Sequence, residues 1–436
     1  MRDEQSAKGP SFAELRPYKS EQGAEAGATG FPVYPDLVER LLDAKGQPDP
    51  DGIVPHALAT CCAYSYAGFD QRGDPGTIAM IMARLGLDEN HVQVFEQRVD
   101  AMYIASAGYL IQDKDRRIAI LCYRGTQPED IISILTDADV RPEMLSVELE
   151  GRQYEVHAGF YRNVRATRHL VVHALGRALR GESVIPGVEG TRGDGLEALY
   201  ITGHSLGGAM AALMGVMLTH EPQYRPIAEK LRGVYTFGQP MVGGEEFAKA
   251  CEEATGPSGG HLLRDHMFRY IFDRDIVPAL PPRPVGPYAP FGREFHYRRP
   301  RAPLDAALTF AADSAIEAVS LPGDLLRLLT GNPMRQPVAR LGELTLRTGE
   351  AVRRSVRPLM RSRAAGWSEN TEPGLHYPQM DSLAGLAVVA PLAFFATRLA
   401  LTRTIPFKYS FDDHGPGHYV NALAPSWVLS EFGDVL

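Results

Sequence analysis

The sequence predicts an α/β architecture with a mostly parallel central sheet. Three observations predict it. Short apolar runs of strand length alternate with segments of three- and four-residue apolar spacing. A Gly-x-Ser-x-Gly pentapeptide, Gly203-His204-Ser205-Leu206-Gly207, stands between one such run and a segment of small apolar residues. The alternation then stops over residues 301–403. Strands that alternate with helices pair in parallel, because each helix returns the chain across a face of the sheet.

The elements follow in order. Residues 1–30 are polar, rich in Gly, Ala, Glu and Lys, and lack an apolar core, so the expectation is a flexible tail and not a signal peptide. Residues 31–45, 54–69 and 75–87 show helical spacing, a helical extension ahead of the sheet. Residues 102–111 and 117–123 alternate as strands about the charged turn Asp113-Lys114-Asp115-Arg116. Residues 154–160, 199–202, 233–237 and 268–272 are further strands. Residues 161–179 and 207–218 are helices, the second apolar throughout, as a buried helix is.

Residues 301–403 contain no clear strand and carry twelve Arg, no Lys and nine Asp or Glu, a net of +3 in a chain of net −8. They read as a helical insertion: a lid, a cap or a membrane-contacting segment. Arg347, Arg353, Arg354, Arg357, Arg361 and Arg363 interleave with Leu346, Val352, Val356 and Leu359. That pattern suits a basic amphipathic surface for anionic lipid, and equally a solvated helix face. Residues 382–397 are uncharged but interrupted by Pro391, which suits a buried or interfacial helix better than a membrane span. The domain reading is a tail over 1–30, a first core part over 31–300, the insertion over 301–403 and a second core part over 404–436.

Composition narrows the function. With 44% hydrophobic and 22% charged residues, a large core is available. A net charge of −8 argues against nucleic acid as a partner. Cys61, Cys62, Cys122 and Cys251 match neither a disulfide framework nor a zinc motif. No metal and no cofactor are expected. Buried thiols and no recognised signal peptide suit a cytoplasmic protein. Peripheral contact with a membrane or lipid droplet through 301–403 is the accompanying expectation.

The chemistry starts from Ser205. A Gly-x-Ser-x-Gly turn between strand and helix lifts the serine oxygen clear of the sheet, and its flanking positions must lack side chains that would clash. The helix that follows aims its N–H groups at that oxygen. A serine hydroxyl needs a base, and the base an orienting acid, in the chain order Ser, Asp or Glu, His. Downstream, the strand 268–272 runs into Asp273-Arg274-Asp275, so either Asp273 or Asp275 can serve as the acid. Near the end of the chain, Asp412-Asp413-His414-Gly415-Pro416-Gly417-His418 offers His414 and His418, with His376 and His296 behind them. The backbone N–H of Leu206 is one oxyanion donor. Thr126, in the turn after the strand 117–123, is a second.

Six motifs in order resemble the class 3 (fungal-type) lipase family. They are Tyr123-Arg124-Gly125-Thr126, Val156-His157-Ala158-Gly159-Phe160 and the elbow through Ala209. Tyr235-Thr236-Phe237-Gly238-Gln239-Pro240-Met241-Val242-Gly243 follows, with Met241 where the family has Arg. The last two are Asp275-Ile276-Val277-Pro278 and Asp413-His414, with Tyr419 beyond. The resemblance implies an α/β-hydrolase fold interrupted by a helical insertion before the catalytic histidine. It favours Asp275 over Asp273 and His414 over His418, and implies a lid over 127–140. It also implies a lipase-type serine esterase acting on acylglycerols, through an acyl-enzyme. Phospholipase A1 and small-ester carboxylesterase activity are alternatives on the same site. A non-catalytic lipid-binding protein is the alternative of another class.

Overall fold

The computed structural model describes residues 5–15, 32–44, 52–67, 74–99, 104–125, 142–188, 193, 195–256, 260–281, 288–299, 366–370 and 412–428. Its strands are β1 (Ser6–Lys8), β2 (His91–Val99), β3 (Ile104–Gln112), β4 (Ile118–Tyr123), β5 (Pro142–Leu149), β6 (Arg152–His157), β7 (Ala198–His204), β8 (Leu231–Phe237), β9 (Gly243–Gly244), β10 (Met267–Phe272), β11 (Tyr288–Ala289), β12 (Arg293–Arg298) and β13 (Gly366–Asn370). Its helices are α1 (Leu37–Asp43), α2 (Ile53–Tyr64), α3 (Pro75–Leu85), α4 (Ala158–Leu179), α5 (Leu206–His220), α6 (Arg225–Ala228), α7 (Glu245–Glu253) and α8 (Pro416–Leu423).

The main sheet runs β1-β2-β3-β4-β7-β8-β10-β12-β13. β4, β7, β8, β10 and β12 are parallel to their neighbours in that run. β1 to β4 form an antiparallel meander on one side, and β13 closes the other side antiparallel to β12. β11-β9-β6-β5 make a small antiparallel sheet.

Two hydrophobic clusters, one on each side of the sheet, explain why central strands are apolar throughout and do not alternate. All seven residues of β7 and all six of β4 and β10 are buried. One cluster gathers α4, α5 and α7 with the small sheet. The other gathers α1, α2, α3 and α8. α5 is buried over Leu206–Leu218, matching its apolar, small-residue sequence.

Three boundaries differ from expectation for identifiable reasons. Ser6–Lys8, expected within a flexible tail, is a strand: Ser6, Ala7 and Lys8 pair with Gln93, Val92 and His91. Gly366–Asn370, inside a segment expected to be helical, is also a strand. Both are edge strands held by ladder hydrogen bonds more than by side-chain burial, so neither carries an apolar alternation. β13 is fixed further by the Arg293–Glu369 pair at 2.7 Å and by Trp367, whose indole N–H donates to the Ala422 carbonyl at 2.9 Å. The strand expected over 154–160 ends at His157, where α4 begins. The 127–140 lid, residues 382–397 and the arginines from Arg347 to Arg363 lie outside the described residues.

Candidate active site

Four loops meet at the carboxyl ends of the parallel strands, where open α/β sheets place their sites. Gly125 follows β4, Ser205 follows β7, Gly238 follows β8 and Asp275 follows β10. Residues 412–414 arrive from the far end of the chain as a single 3-10 turn ahead of α8.

Ser205 occupies φ +60°, ψ −129°, a backbone conformation a serine adopts only under local constraint. The constraint is visible. Its N–H donates to the Phe237 carbonyl at 2.9 Å, while its own carbonyl accepts from the Gly208 N–H at 2.9 Å. A Cβ at Gly203 would strike the Gly207 carbonyl, and one at Gly207 would strike the Tyr123 carbonyl. The turn therefore closes only with glycine on both sides of the serine. Ser205 is fully buried, and its Oγ makes no hydrogen bond among the described residues.

His414 and Asp275 are brought together across 139 positions: His414 Nδ1 lies 2.8 Å from Asp275 Oδ2. The carboxylate accepts twice more, from the Tyr419 hydroxyl on Oδ2 at 2.5 Å and from the Val277 N–H on Oδ1 at 2.9 Å. With the carboxylate against Nδ1, the proton sits there and Nε2 keeps its lone pair. His414 Nε2 is buried and, like Ser205 Oγ, makes no hydrogen bond among the described residues. Gly238, at φ +58°, packs against this pair. A Cβ there would come within 2.7 Å of Asp275 Oδ2 and 2.8 Å of His414 Nδ1.

The other sequence candidates lie elsewhere. Asp273 has φ +38° and its carboxylate is 3.7 Å from Arg274 Nε. His418 is buried with its ring stacked on Phe272, centroids 5.1 Å apart. His296 donates to or accepts from Glu294 at 2.6 Å, away from the serine. Leu206 opens α5 directly after Ser205, so its N–H is at the helix N-terminus. Thr126 falls outside the described residues, but Gly125 before it is in place: a Cβ there would sit 3.2 Å from Ser205 Cβ.

Two features around the site were not visible to residue-by-residue reading. Asp413, beside the histidine, accepts from Arg299 Nη1 at 3.0 Å and the Arg274 N–H at 3.3 Å. Burial nonetheless pushes its carboxyl up to about 6. His204, the second residue of the pentapeptide, is buried against His414, ring centroids 4.5 Å apart. Burial, then the neighbouring His414, holds its imidazole well below the usual histidine range.

The arrangement is that of the α/β-hydrolase fold: a strained serine at a strand-to-helix elbow, with a histidine–carboxylate pair delivered from two later loops. Residues 120–285 match the family model "Lipase (class 3)", so the resemblance to class 3 lipases holds across that segment. Over 84 residues the chain is 43% identical to the triacylglycerol lipase OBL1 of Arabidopsis thaliana, covering 19% of this chain and 14% of that protein. Over 185 residues it is 28% identical to a lipase of Rhizopus niveus, covering 41% of this chain and 38% of that one. These matches span well under two thirds of the curated relatives' length. Among solved structures, the Rhizomucor miehei lipase propeptide complex aligns with a TM-score of 0.42 at 20% identity, covering 58% of this chain and 68% of that one. Lipase II from Rhizopus niveus aligns at 0.41 and 22%, covering 56% and 80%.

Proposed function

We propose that the chain is a serine carboxylic-ester hydrolase of the lipase type, with Ser205 as nucleophile, His414 as general base and acid, and Asp275 as the orienting carboxylate. The observation that carries the proposal is the His414–Asp275 hydrogen bond, 2.8 Å, formed between loops 139 positions apart and beside the strained elbow. His414, Tyr419 and the Val277 N–H hold the Asp275 carboxylate in place against the imidazole, where it stabilises the imidazolium that forms when histidine takes a proton.

The chemistry follows. Ser205 Oγ attacks the ester carbonyl carbon while its proton passes to His414 Nε2. Negative charge moves to the carbonyl oxygen, where the Leu206 N–H and the N–H of Thr126 meet it. The intermediate collapses, the alkoxide leaves with the proton from His414, and the acyl group stays on Ser205. Water then adds to the acyl carbon, losing its proton to His414, and the acid departs as the proton returns to Ser205. No step needs a metal. The described residues contain no cluster of three His, Cys, Asp or Glu able to hold one.

Lipid esters, acylglycerols first, are the substrate class that matches the names of the relatives. Contact with a membrane or lipid-droplet surface through residues 301–403 belongs to the same reading. No helix among the described residues is long and apolar enough to cross a membrane. Flotation with anionic and zwitterionic liposomes, with and without 301–365, tests that contact while keeping strand β13.

The deciding experiment is hydrolysis of a panel of tri-, di- and monoacylglycerols, phospholipids and short-chain p-nitrophenyl esters by wild type and Ser205→Ala. Loss of all hydrolysis in Ser205→Ala, with the circular dichroism melt retained, is the expected result. A fluorophosphonate probe should label wild type alone. Residual activity in Ser205→Ala overturns the reading, and the panel separates acylglycerol lipase from phospholipase A1 and from a small-ester esterase.

A further inference from the structure

Beyond the triad, a second hydrogen-bonded chain reaches the main chain of His414. It starts at Tyr66, in the turn after α2. The Tyr66 hydroxyl lies 2.8 Å from His204 Nδ1, and His204 Nε2 lies 2.7 Å from the backbone carbonyl oxygen of His414. The three residues span 348 positions of sequence, and Tyr66 falls outside the six motifs that align with a known family.

The protons on this chain are determined by its far end. A backbone carbonyl only accepts, so His204 Nε2 must carry a hydrogen. His204 is buried against the imidazole that becomes charged in the reaction, and burial and that neighbour both favour its neutral form. A neutral ring with hydrogen on Nε2 has a lone pair on Nδ1, so Tyr66 is the donor. Tyr66 cannot turn away cheaply. Its ring stands edge-on to His204, with centroids 5.7 Å apart at 77°. Its hydroxyl also fills the space that a Cβ at Gly125 would occupy. The hydroxyl is thus wedged between the end of β4 and the end of β7, the two strands that carry the proposed oxyanion turn and the nucleophile.

We propose that His204 is a positioning residue for His414: its Nε2–H holds the His414 backbone, and Tyr66, donating to Nδ1, holds the His204 ring in the orientation that this requires. Residues 412–414 enter the site from a segment remote in sequence, and Asp275 holds the His414 ring at Nδ1. A ring so held still moves with its own main chain, and displacement of Nε2 by an ångström costs rate at the proton-transfer step. The His204 hydrogen bond fixes the other end of the residue, its main chain, directly to the strand that bears Ser205. The second residue of the pentapeptide therefore ties base to nucleophile, while its flanking glycines shape the turn.

This inference rests on the proposed Ser205–His414–Asp275 reading, and the test separates the two. His204→Gln keeps an N–H donor near the place of Nε2, and His204→Met keeps the volume without the donor. Tyr66→Phe removes only the hydroxyl. Each is assayed on p-nitrophenyl butyrate per active site titrated with a fluorophosphonate, so that a misfolded fraction drops out of the rate. The expected result is a fall in kcat of roughly tenfold or more for His204→Met at nearly unchanged KM, since the lost interaction serves the chemical step and not substrate binding. His204→Gln should recover most of that loss, and Tyr66→Phe should lose about threefold in kcat. The low-field proton resonance of the His414–Asp275 hydrogen bond should broaden in His204→Met and persist in His204→Gln. Equal kcat per titrated site for Gln and Met variants, or a loss confined to KM, overturns the inference. Should His204→Met not fold, an unchanged kcat in Tyr66→Phe overturns it by itself. Full activity in His414→Ala would instead remove the triad reading on which it stands.

Discussion

Tyr419 donates its hydroxyl hydrogen to Asp275 Oδ2, the same oxygen that pairs with His414 Nδ1. The hydroxyl oxygen in turn accepts the Phe272 backbone N–H at 3.2 Å, so α8 is pinned to the end of β10 through the carboxylate. Burial, then the neighbouring carboxylate, pushes the tyrosine well above its usual range, which keeps it a donor. Tyr419→Phe should leave the Phe272 N–H without its acceptor and Asp275 with one donor fewer. Buried hydrogen bonds to charged groups are worth about 1.5–3 kcal/mol. Urea denaturation should report a loss of that order, with kcat per active site falling by a smaller factor than in Asp275→Ala. An unchanged denaturation midpoint would contradict it.

Gly238 sits at φ +58° with no room for a methyl group: its Cβ would press on Asp275 Oδ2 and on the His414 ring at once. Neither contact is to the free end of a flexible side chain, since each partner is held by the other. Gly238→Ala should cost about 1 kcal/mol or more from backbone conformation alone. The larger effect should be on kcat, because the clash drives the base and its acid apart. Steady-state kinetics per titrated site, beside a thermal melt, checks this; a variant with wild-type kcat would show that the pair tolerates displacement.

Arg269 and Glu294 form an ion pair at 2.7 Å in which both side chains are essentially inaccessible to water. Further hydrogen bonds surround the pair. Glu294 also contacts His296 at 2.6 Å and Asn370 at 2.9 Å, and Arg269 donates to the Gln239 carbonyl at 3.1 Å. It thereby links β13 to the loop that carries Gly238. Removing one partner strands the other as a buried charge, so Arg269→Met should destabilise by about 3–5 kcal/mol. The double replacement Arg269→Met with Glu294→Leu should recover a large part of that loss, because the desolvation cost of both charges disappears together. Chemical denaturation of the two variants makes the comparison, and equal stability would show the interaction to be other than electrostatic.

Much of this arrangement is legible in the chain because the chemistry forces local signatures. The elbow must have glycine at 203 and 207, and the wholly buried β4, β7 and β10 must be apolar throughout, so each announces itself within a few residues. β1 and β13 do not, since an edge strand is held by main-chain hydrogen bonds that any polar sequence can make. Asp273 and Asp275, two residues apart, are separated by the turn after β10: Asp275 contacts His414, while Asp273 lies by Arg274. Spacing cannot express that difference. Tyr66, Arg269 and Gly238 belong to the site only through tertiary contact, and no local pattern marks them.

Buried titratable groups couple the stability of the fold to acid. His56 is buried, and its Nδ1 lies 2.8 Å from the Tyr34 hydroxyl. Burial lowers its imidazole from 6.5 to about 4. A native pKa below the unfolded one means that the unfolded chain binds the proton first, so stability falls as pH drops from about 6.5 to about 4. Below that window both states are protonated and the loss is complete, on the order of 3 kcal/mol for this group. His204, lowered in the same direction, adds to the slope. Asp413 opposes it. Its carboxyl is raised to about 6, so protonation favours the native state and restores stability as pH falls from there towards the unfolded carboxylate value near 4. The test is therefore differential. Between pH 7.5 and 4.5, His56→Gln should lose less stability in urea than wild type, because it removes one group that resists protonation in the fold. Asp413→Asn should lose more, because it removes the one that welcomes it. Parallel stability curves for all three proteins would show that neither buried group titrates differently on folding.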